Sequence, residues 1–381
     1  MINFTREDTG MIAKWWRNID KEILFLFIFL FLLGLFFSFS STSSIVSEKM
    51  NKETYFFFIK HLIFVLISLV FLTAISIQEK NKIKFFLLPL FIVSVLFLLL
   101  VPIIGVEIRG SKRWIDLFFL PRFQPIELVK PLFVLFVAKT IVLNDKINIY
   151  KRHLFSFFTL SLIVIFLINQ PDLGQTLLLI LSWAAMVFAS GFNMIILLIL
   201  GLIVLIIVTL LVYFFPLKFG YIFFRIQTFF NPKTGDNFQS QKALDAIKQG
   251  GLTGQGMGEG ILKDKVPEAH TDYIIAVISE EFGALFVLFI AILFLFIGYK
   301  VLSKVFLERD EFVKLTLIGL TSLLIIQTFI HIGVNIRLLP TTGMTLPFLS
   351  YGGSSLIGSS IAAGTILNFT RKDTTRHISN D

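Results

Sequence analysis

The sequence predicts an all-α, polytopic membrane protein with about ten transmembrane helices and one large extracytoplasmic loop between spans 7 and 8. Three observations predict it. Hydrophobic residues fill 56% of the 381 positions, and the mean hydropathy of +0.85 is far above that of a soluble globular chain. The apolar residues come in runs of about 20, the length a helix needs to cross the hydrocarbon at about 1.5 Å per residue. The basic residues sit in the short stretches between runs rather than in one patch.

Composition excludes several classes. Phe occurs 46 times, more than a soluble core requires, and such runs can lie in lipid without polar partners. With 0 Cys, a disulfide framework, a thiolate metal site and a cysteine nucleophile are all unavailable. The net charge of +9 is spread over short loops, so it reads as a topology signal and not as a nucleic-acid surface.

In chain order, spans are expected near residues 22–41, 55–77, 84–105, 126–143, 154–169, 173–190, 192–215, 272–301, 314–336 and 353–370. The first follows Trp15, Trp16, Arg17 and Lys21 with no small-residue cleavage site after it, so it reads as a retained span. The resulting organisation is a cytoplasmic tail at 1–21, a transmembrane domain at 22–370 containing the extracytoplasmic loop 216–271, and a cytoplasmic tail at 371–381. Inside loops then carry Lys80, Lys82 and Lys84, Lys146, Lys151 and Arg152, Lys304 and Arg309, and Arg371, Lys372 and Arg376, in accord with the positive-inside rule. No internal repeat is apparent, which argues against inverted-repeat transporter folds.

Two outside loops depart from that rule. Residues 106–125 hold Arg109, Lys112, Arg113 and Arg122, and residues 216–271 hold seven Lys or Arg. The longer loop also carries Asp236, Asp245, Glu259, Asp264 and Glu268, so one reading is a solvated domain that translocates regardless of charge. The other is a surface for an anionic lipid head group.

Three regions contain groups suited to chemistry. The stretch Gly251–Gly283, GLTGQGMGEGILKDKVPEAHTDYIIAVISEEFG, runs from alternating glycines into the eighth span. Those glycines permit close backbone approach, but they equally describe a flexible loop, and neither dinucleotide nor P-loop spacing is met. Glu268, His270 and Asp272 gather proton-handling groups at the membrane boundary, although Thr271 or Asp272 would also serve as an ordinary helix cap. A helix start favours an ionised carboxylate, which suits Asp272 to accepting a proton. Continuous helix would place Glu280 about 12 Å deeper, with Glu281 beside it, an expensive location for two carboxylates.

Glu127 and Lys130 stand three residues apart, on one helical face, and read either as a structural pair or as the lining of a ligand path. The segment Gly333–Ser355, GVNIRLLPTTGMTLPFLSYGGSS, is too rich in Pro, Gly, Thr and Ser for a lipid-facing helix and must face protein or a water-filled cavity. Beyond it, Gly358, Ser359, Ala362, Ala363 and Gly364 read as close helix packing.

Five strings in order resemble the SEDS family (shape, elongation, division and sporulation) over nearly the whole chain: IRGSKRWI at 108–115, FQPIELVK at 123–130, QPDLGQ at 170–175, PEAHTDYIIAV at 267–277 and LLPTTGMTLPFLSYGGSS at 338–355. The fourth and fifth look like the division-specific branch, of FtsW type, more than the elongation branch, of RodA type, and resemble alphaproteobacterial versions. Departures are modest. Ile126 replaces the usual Ser between Pro and Glu, Thr342 stands where the division branch usually has Lys, and Arg337 occupies a variable position from which it would restore a positive charge.

The resemblance implies a peptidoglycan glycosyltransferase that is stimulated by a divalent cation (Mg or Mn) and uses no organic cofactor. It would polymerise lipid II, the undecaprenyl-diphosphate disaccharide-pentapeptide, into β-1,4 glycan strands at the division septum. Asp272 would be the general base. Lys112 and Arg113 are candidates for neutralising the diphosphate, Trp114 for seating at the interface or against a sugar, and Glu127 and Lys130 for shaping the cavity. His270, Arg337 and Ser350 complete the substrate-binding set, and metal ligands are not assigned. The implied partners are a class B penicillin-binding protein transpeptidase and other divisome membrane proteins, with no nucleic acid, in the bacterial inner membrane. A lipid II flippase, a RodA-type polymerase and a recruiting scaffold are the competing readings.

Overall fold

The structure is a computed structural model and describes residues 10–41, 55–108, 111–116, 121–142, 148–231 and 238–372. Arg109, Lys146, Lys233, Asp236 and Arg376, which entered the reading of loop charge, lie outside the described residues. So do residues 1–9 of the first tail and 373–381 of the second.

Ten helices account for the expected spans. Seven are long and apolar enough to cross a membrane: α2 (Lys21–Ser41), α3 (Phe56–Ile77), α4 (Lys80–Ile104), α6 (Ile149–Asn169), α8 (Met194–Phe214), α12 (Ala284–Val305) and α13 (Glu311–Asn335). The others are α5 (Pro125–Val142), which carries Glu127, Lys130 and Lys139, and the shorter α7 (Leu173–Ala189) and α14 (Gly353–Phe369). A short helix, α1 (Met11–Asn18), precedes α2, and Trp15 Nε1 donates to Ser76 Oγ at 2.9 Å.

The centre of the bundle is α5, α13 and α14, whose side chains are mostly buried, polar ones included. Their approach depends on small residues. Pro131 has no N–H to return to the Glu127 carbonyl, and α14 closes on that carbonyl at Gly358, where a Cβ would collide. Ala362 and Ala363 are fully buried, and at Gly364 a Cβ would stand 2.8 Å from the Leu72 carbonyl of α3. The small-residue stripe is therefore packing, as its spacing suggests.

The loops depart most from expectation. The first basic loop forms a β-hairpin, β1 (Gly105–Ile108) and β2 (Ser111–Ile115), with Val106 opposite Trp114 and Glu107 opposite Lys112. The long loop is largely helical, with α9 (Pro216–Phe230), α10 (Phe238–Gly250) and a 3-10 turn at Lys263–Lys265. It has its own small core, in which Ala243 and Ala246 pack against Val266, Tyr273 and Val277.

The eighth span is shorter than expected. α11 (Ile274–Phe282) and α12 are separate helices, broken at Gly283, which has φ +81. A Cβ there would strike the Leu252 carbonyl, and the same loop turns back on α11 at Gly254, φ +79. These glycines answer to protein backbone and not to a ligand. Glu280 and Glu281 accordingly are not charges adrift in mid-membrane. Glu280 accepts from the N–H groups of Leu262 (2.7 Å) and Lys263 (2.6 Å). Glu281 pairs with Lys263 and accepts from Ser40 Oγ and from Gly258 N–H at 3.1 Å. Two carboxylates thus staple the loop to α11 and to the end of α2.

The two ends of the bundle differ. At one, Lys84 pairs with Asp310 at 2.7 Å and Lys304 with Asp20 at 2.9 Å, while Lys372 N–H donates to the Asn18 carbonyl at 2.9 Å. The N-terminal helix and the last described residue therefore share this lysine-rich end. The hairpin, α10, α11 and the irregular segment between α13 and α14 occupy the other. In the cysteine-free chain, single cysteines at Lys248 and Lys372 should label from opposite faces of the membrane. Labelling of both from one side would overturn the ten-span topology.

Candidate active site

A cavity of about 520 Å³ opens at the end of the bundle away from the described chain ends. Its walls are the hairpin (Arg113, Trp114), the turn before α11 (Glu268, Asp272) and the irregular segment (Thr342, Gly343). Glu127 and Gln175, at the starts of α5 and α7, lie in its floor.

The floor is a chain of buried polar contacts. Lys130 Nζ lies 2.8 Å from Glu127 Oε2, with both side chains almost fully buried. Gln175 Nε2 donates to Glu127 Oε1 at 2.8 Å, and Lys130 donates to Gln327 Oε1 at 3.1 Å. Gln327 in turn donates to the Thr345 carbonyl at 2.9 Å. One ion pair thereby links α5, α7 and α13 to the irregular segment. That segment is also anchored by Phe348, whose ring meets Phe27 and Phe31 at 5.4 and 5.1 Å. Phe348 holds a left-handed φ of 66, a conformation that persists only where packing enforces it.

Asp272 stands in the wall, two residues ahead of the start of α11. α11 begins at Ile274, and the side chain that serves its first turn is Asn335 from the end of α13. Asn335 Oδ1 accepts from Ala276 N–H at 3.2 Å, and its Nδ2 donates to the Asp272 carbonyl at 3.1 Å. The backbone of Asp272 is held while its carboxylate faces the cavity. Gly343, φ +67, passes directly alongside: a Cβ there would sit 3.5 Å from Asp272 Oδ2 and 3.7 Å from Arg113 Nη1. The carboxylate and the guanidinium therefore flank one glycine.

Arg113 is committed to the scaffold. It donates to the carbonyls of Gln170 (3.0 Å) and Pro171 and lies 3.8 Å from Asp172 Oδ2. Asp172 is fully buried, and burial raises its pKa above the usual carboxylate value against the opposing pull of Arg113. It also accepts from Gln124 Nε2 at 3.2 Å.

The other expected site residues divide. Trp114 lines the cavity. Lys112 is exposed on the hairpin opposite Glu107, outside the lining. The His270 ring meets Phe57 (4.9 Å) and Tyr351 (5.6 Å) at tilted angles, and its backbone carbonyl accepts from Tyr351 N–H, so it braces the wall. Ser350 is buried: it donates to the Thr271 carbonyl at 2.7 Å and accepts from Leu346 N–H at 2.8 Å, tying the irregular segment to the turn that carries Asp272. Arg337 lines a smaller neighbouring pocket. Sequence reasoning missed Arg225, which lines both pockets; its only signal was a lone cation in the apolar string FFRIQTFF. Among the described residues no group of three or more His, Asp or Glu is placed to hold a metal ion.

The fold and site define a multi-pass helical membrane protein with a polar, carboxylate-bearing cavity at one end of its bundle. A profile of the FtsW/RodA/SpoVE family of cell cycle proteins matches residues 21–375, and the chain belongs to that family. It is 31% identical, over 97% of its length and 93% of the relative's, to the probable peptidoglycan glycosyltransferase FtsW of Caulobacter vibrioides. It is 34% identical to that of Haemophilus influenzae, over 88% of this chain and 86% of the relative. Among solved structures, a chain described under "structural coordination of polymerization and crosslinking by a peptidoglycan synthase complex" superposes with a TM-score of 0.73, at 23% identity over 95% of this chain and 99% of that one. The rod shape determining protein RodA of Thermus thermophilus gives 0.66, at 23% identity over 96% and 99%.

Two outcomes follow from this geometry. Glu127→Gln and Lys130→Met, made singly, should each strand a buried charge at a cost of about 3–5 kcal/mol and cripple activity, whereas the double variant should lose much less than the sum. Additive losses in unfolding and activity measurements would mean the pair does not interact. Gly343→Val should abolish activity while leaving insertion and expression intact, because its side chain enters the gap between Asp272 and Arg113 at a φ that disfavours β-branched residues. Activity near wild type would remove that gap from the site.

Proposed function

We propose that this chain, as a division-type peptidoglycan glycosyltransferase, polymerises lipid II with Asp272 as the general base. The observation that carries the reading is Asp272 in the cavity wall, its backbone carbonyl held by Asn335 and its carboxylate beside Gly343. The acceptor hydroxyl gives its proton to Asp272 as its oxygen bonds to the donor anomeric carbon. The bond from that carbon to the lipid diphosphate breaks, and its electron pair leaves with the diphosphate. Trp114 offers an apolar face to a sugar, and the Glu127–Lys130 floor excludes the opposite end of the bundle from the reaction.

The chain offers no all-protein metal cage among its described residues, but a hard cation needs only one or two carboxylates when substrate phosphates complete its shell. Glu268, in the cavity wall, is the side chain proposed to hold Mg or Mn beside the base. When bound, the cation would supply charge neutralisation to the acceptor's diphosphate, which stays on the base's side of the reaction. A class B penicillin-binding protein transpeptidase is the proposed partner, in keeping with a structural neighbour described as coordinating polymerization and crosslinking. The setting is the inner membrane at the division septum, with both termini cytoplasmic because the lysine-rich end obeys the positive-inside rule. A flippase needs a polar path to both leaflets, and the concentration of polar lining at one end favours the polymerase.

Purified Asp272→Asn protein should insert and bind lipid II normally yet lose polymerisation by about 100- to 10,000-fold, the usual contribution of general base catalysis. A residual rate above a few tenths of wild type in a lipid II polymerisation assay would remove Asp272 from that role.

A further inference from the structure

Polymerisation brings together two lipid-anchored substrates, each carrying a diphosphate, yet only one diphosphate departs. Electrostatic help is needed where charge develops, and in an in-line displacement that is on the far side of the anomeric carbon from the base. Arg113 does not fit this task. It lies on the base's side of the cavity, beside Gly343 with Asp272, and its donors are already directed at two carbonyls and Asp172.

Next to the cavity lies a pocket of about 190 Å³ between α9 and the irregular segment, lined by Phe224, Arg225, Phe229, Ser240, Arg337 and Thr341 among others. Its two cations have only neutral hydrogen-bond partners among the described residues. Arg225 donates to the Thr341 carbonyl at 3.4 Å, and Arg337 to Gln241 Oε1 at 3.1 Å, with Asp245 one amide further on. Burial, and then the like charge of Arg113, pull the Arg225 pKa below its ordinary value, with Asp172 opposing. The cluster is short of negative charge. Arg337 also holds a left-handed φ of 57, a cost that marks an enforced position. Outside the pocket lining, Phe223 and Phe230 of α9 are more than half exposed, an aromatic surface suited to the membrane interface.

We propose that the Arg225–Arg337 pocket binds the leaving diphosphate of the donor, with the lipid chain running out over the aromatic face of α9. Arg225 lines both pockets and so bridges the reacting centre to the departing group. This relocates the cation lost at Thr342: that residue lines the main cavity, whereas Arg337 acts from the pocket beside it. The inference takes its substrate from the polymerase reading, but the two fail separately.

The test measures binding of farnesyl diphosphate to the full-length purified protein in detergent. Arg225→Gln and Arg337→Gln should each raise Kd about tenfold or more, as expected for the loss of a charge-assisted hydrogen bond, and Arg122→Gln, on the exposed hairpin side, should not. Vesicles of phosphatidylglycerol should compete poorly. Wild-type affinity in both variants overturns the proposal, as does equal competition by phosphatidylglycerol, which would make the pocket a phospholipid head-group site. Should Arg225→Gln fail to fold, Arg337→Gln decides alone. If farnesyl diphosphate binds through the arginines but the wild-type protein does not polymerise lipid II, the polymerase reading falls and the pocket stands.

Discussion

The ion pair between Glu127 and Lys130 is the constraint on which the rest of the site depends. Two opposite charges almost fully removed from solvent are tolerable only if their remaining hydrogen-bonding capacity is met. Gln175 and Gln327 meet part of it, and they come from different helices. Satisfying the pair therefore sets α5, α7 and α13 in one register, and through Gln327 and the Thr345 carbonyl it also sets the height of the irregular segment. The cavity floor is a consequence of charge satisfaction before it is a feature of function.

A second constraint operates above the floor. Backbone without a regular hydrogen-bond ladder is admissible near the membrane only where protein or water satisfies it. The segment between α13 and α14 meets that condition with side chains: Phe348 in an aromatic cluster, Ser350 between two backbone groups, and His331 donating to the Met344 carbonyl at 2.7 Å. The long loop meets it with carboxylates, as Glu280 and Glu281 accept N–H groups from the turn that leads to Lys263. Both devices converge on the short stretch carrying Asp272, which is held from beneath by Asn335 and from the side by Ser350 through Thr271.

Charge around the cavity is divided by its existing commitments. Arg113 supports the hairpin against the turn at Gln170–Asp172, so its cation is largely spent on the fold. Among the described residues, Arg225 and Arg337 donate hydrogen bonds only to neutral acceptors. A charged side chain in a binding site is therefore not informative by its type alone. What matters is how much of its field the protein has already answered.

Membrane insertion, helical class and the approximate positions of ten spans were legible in the sequence because lipid imposes a length and a polarity on every crossing segment. The same one-dimensional signal marked Glu127 with Lys130, since residues three apart share a helical face, and the unwound stretch after α13, since its composition forbids a lipid-facing helix. Asp272 stood out through its neighbours and the family resemblance. Other features depended on contacts between distant residues. Gly283 divides the eighth span because the backbone of residue 252 lies against it. Asn335, 63 positions from Asp272, takes over the capping that local sequence assigned to Thr271 or Asp272. Lys112 and Arg113 are adjacent in the chain, yet the hairpin sends one to solvent and the other into the wall. Hydrophobic length is a local property that a sequence states by itself, whereas the partner that meets a buried polar group is chosen only when the helices pack.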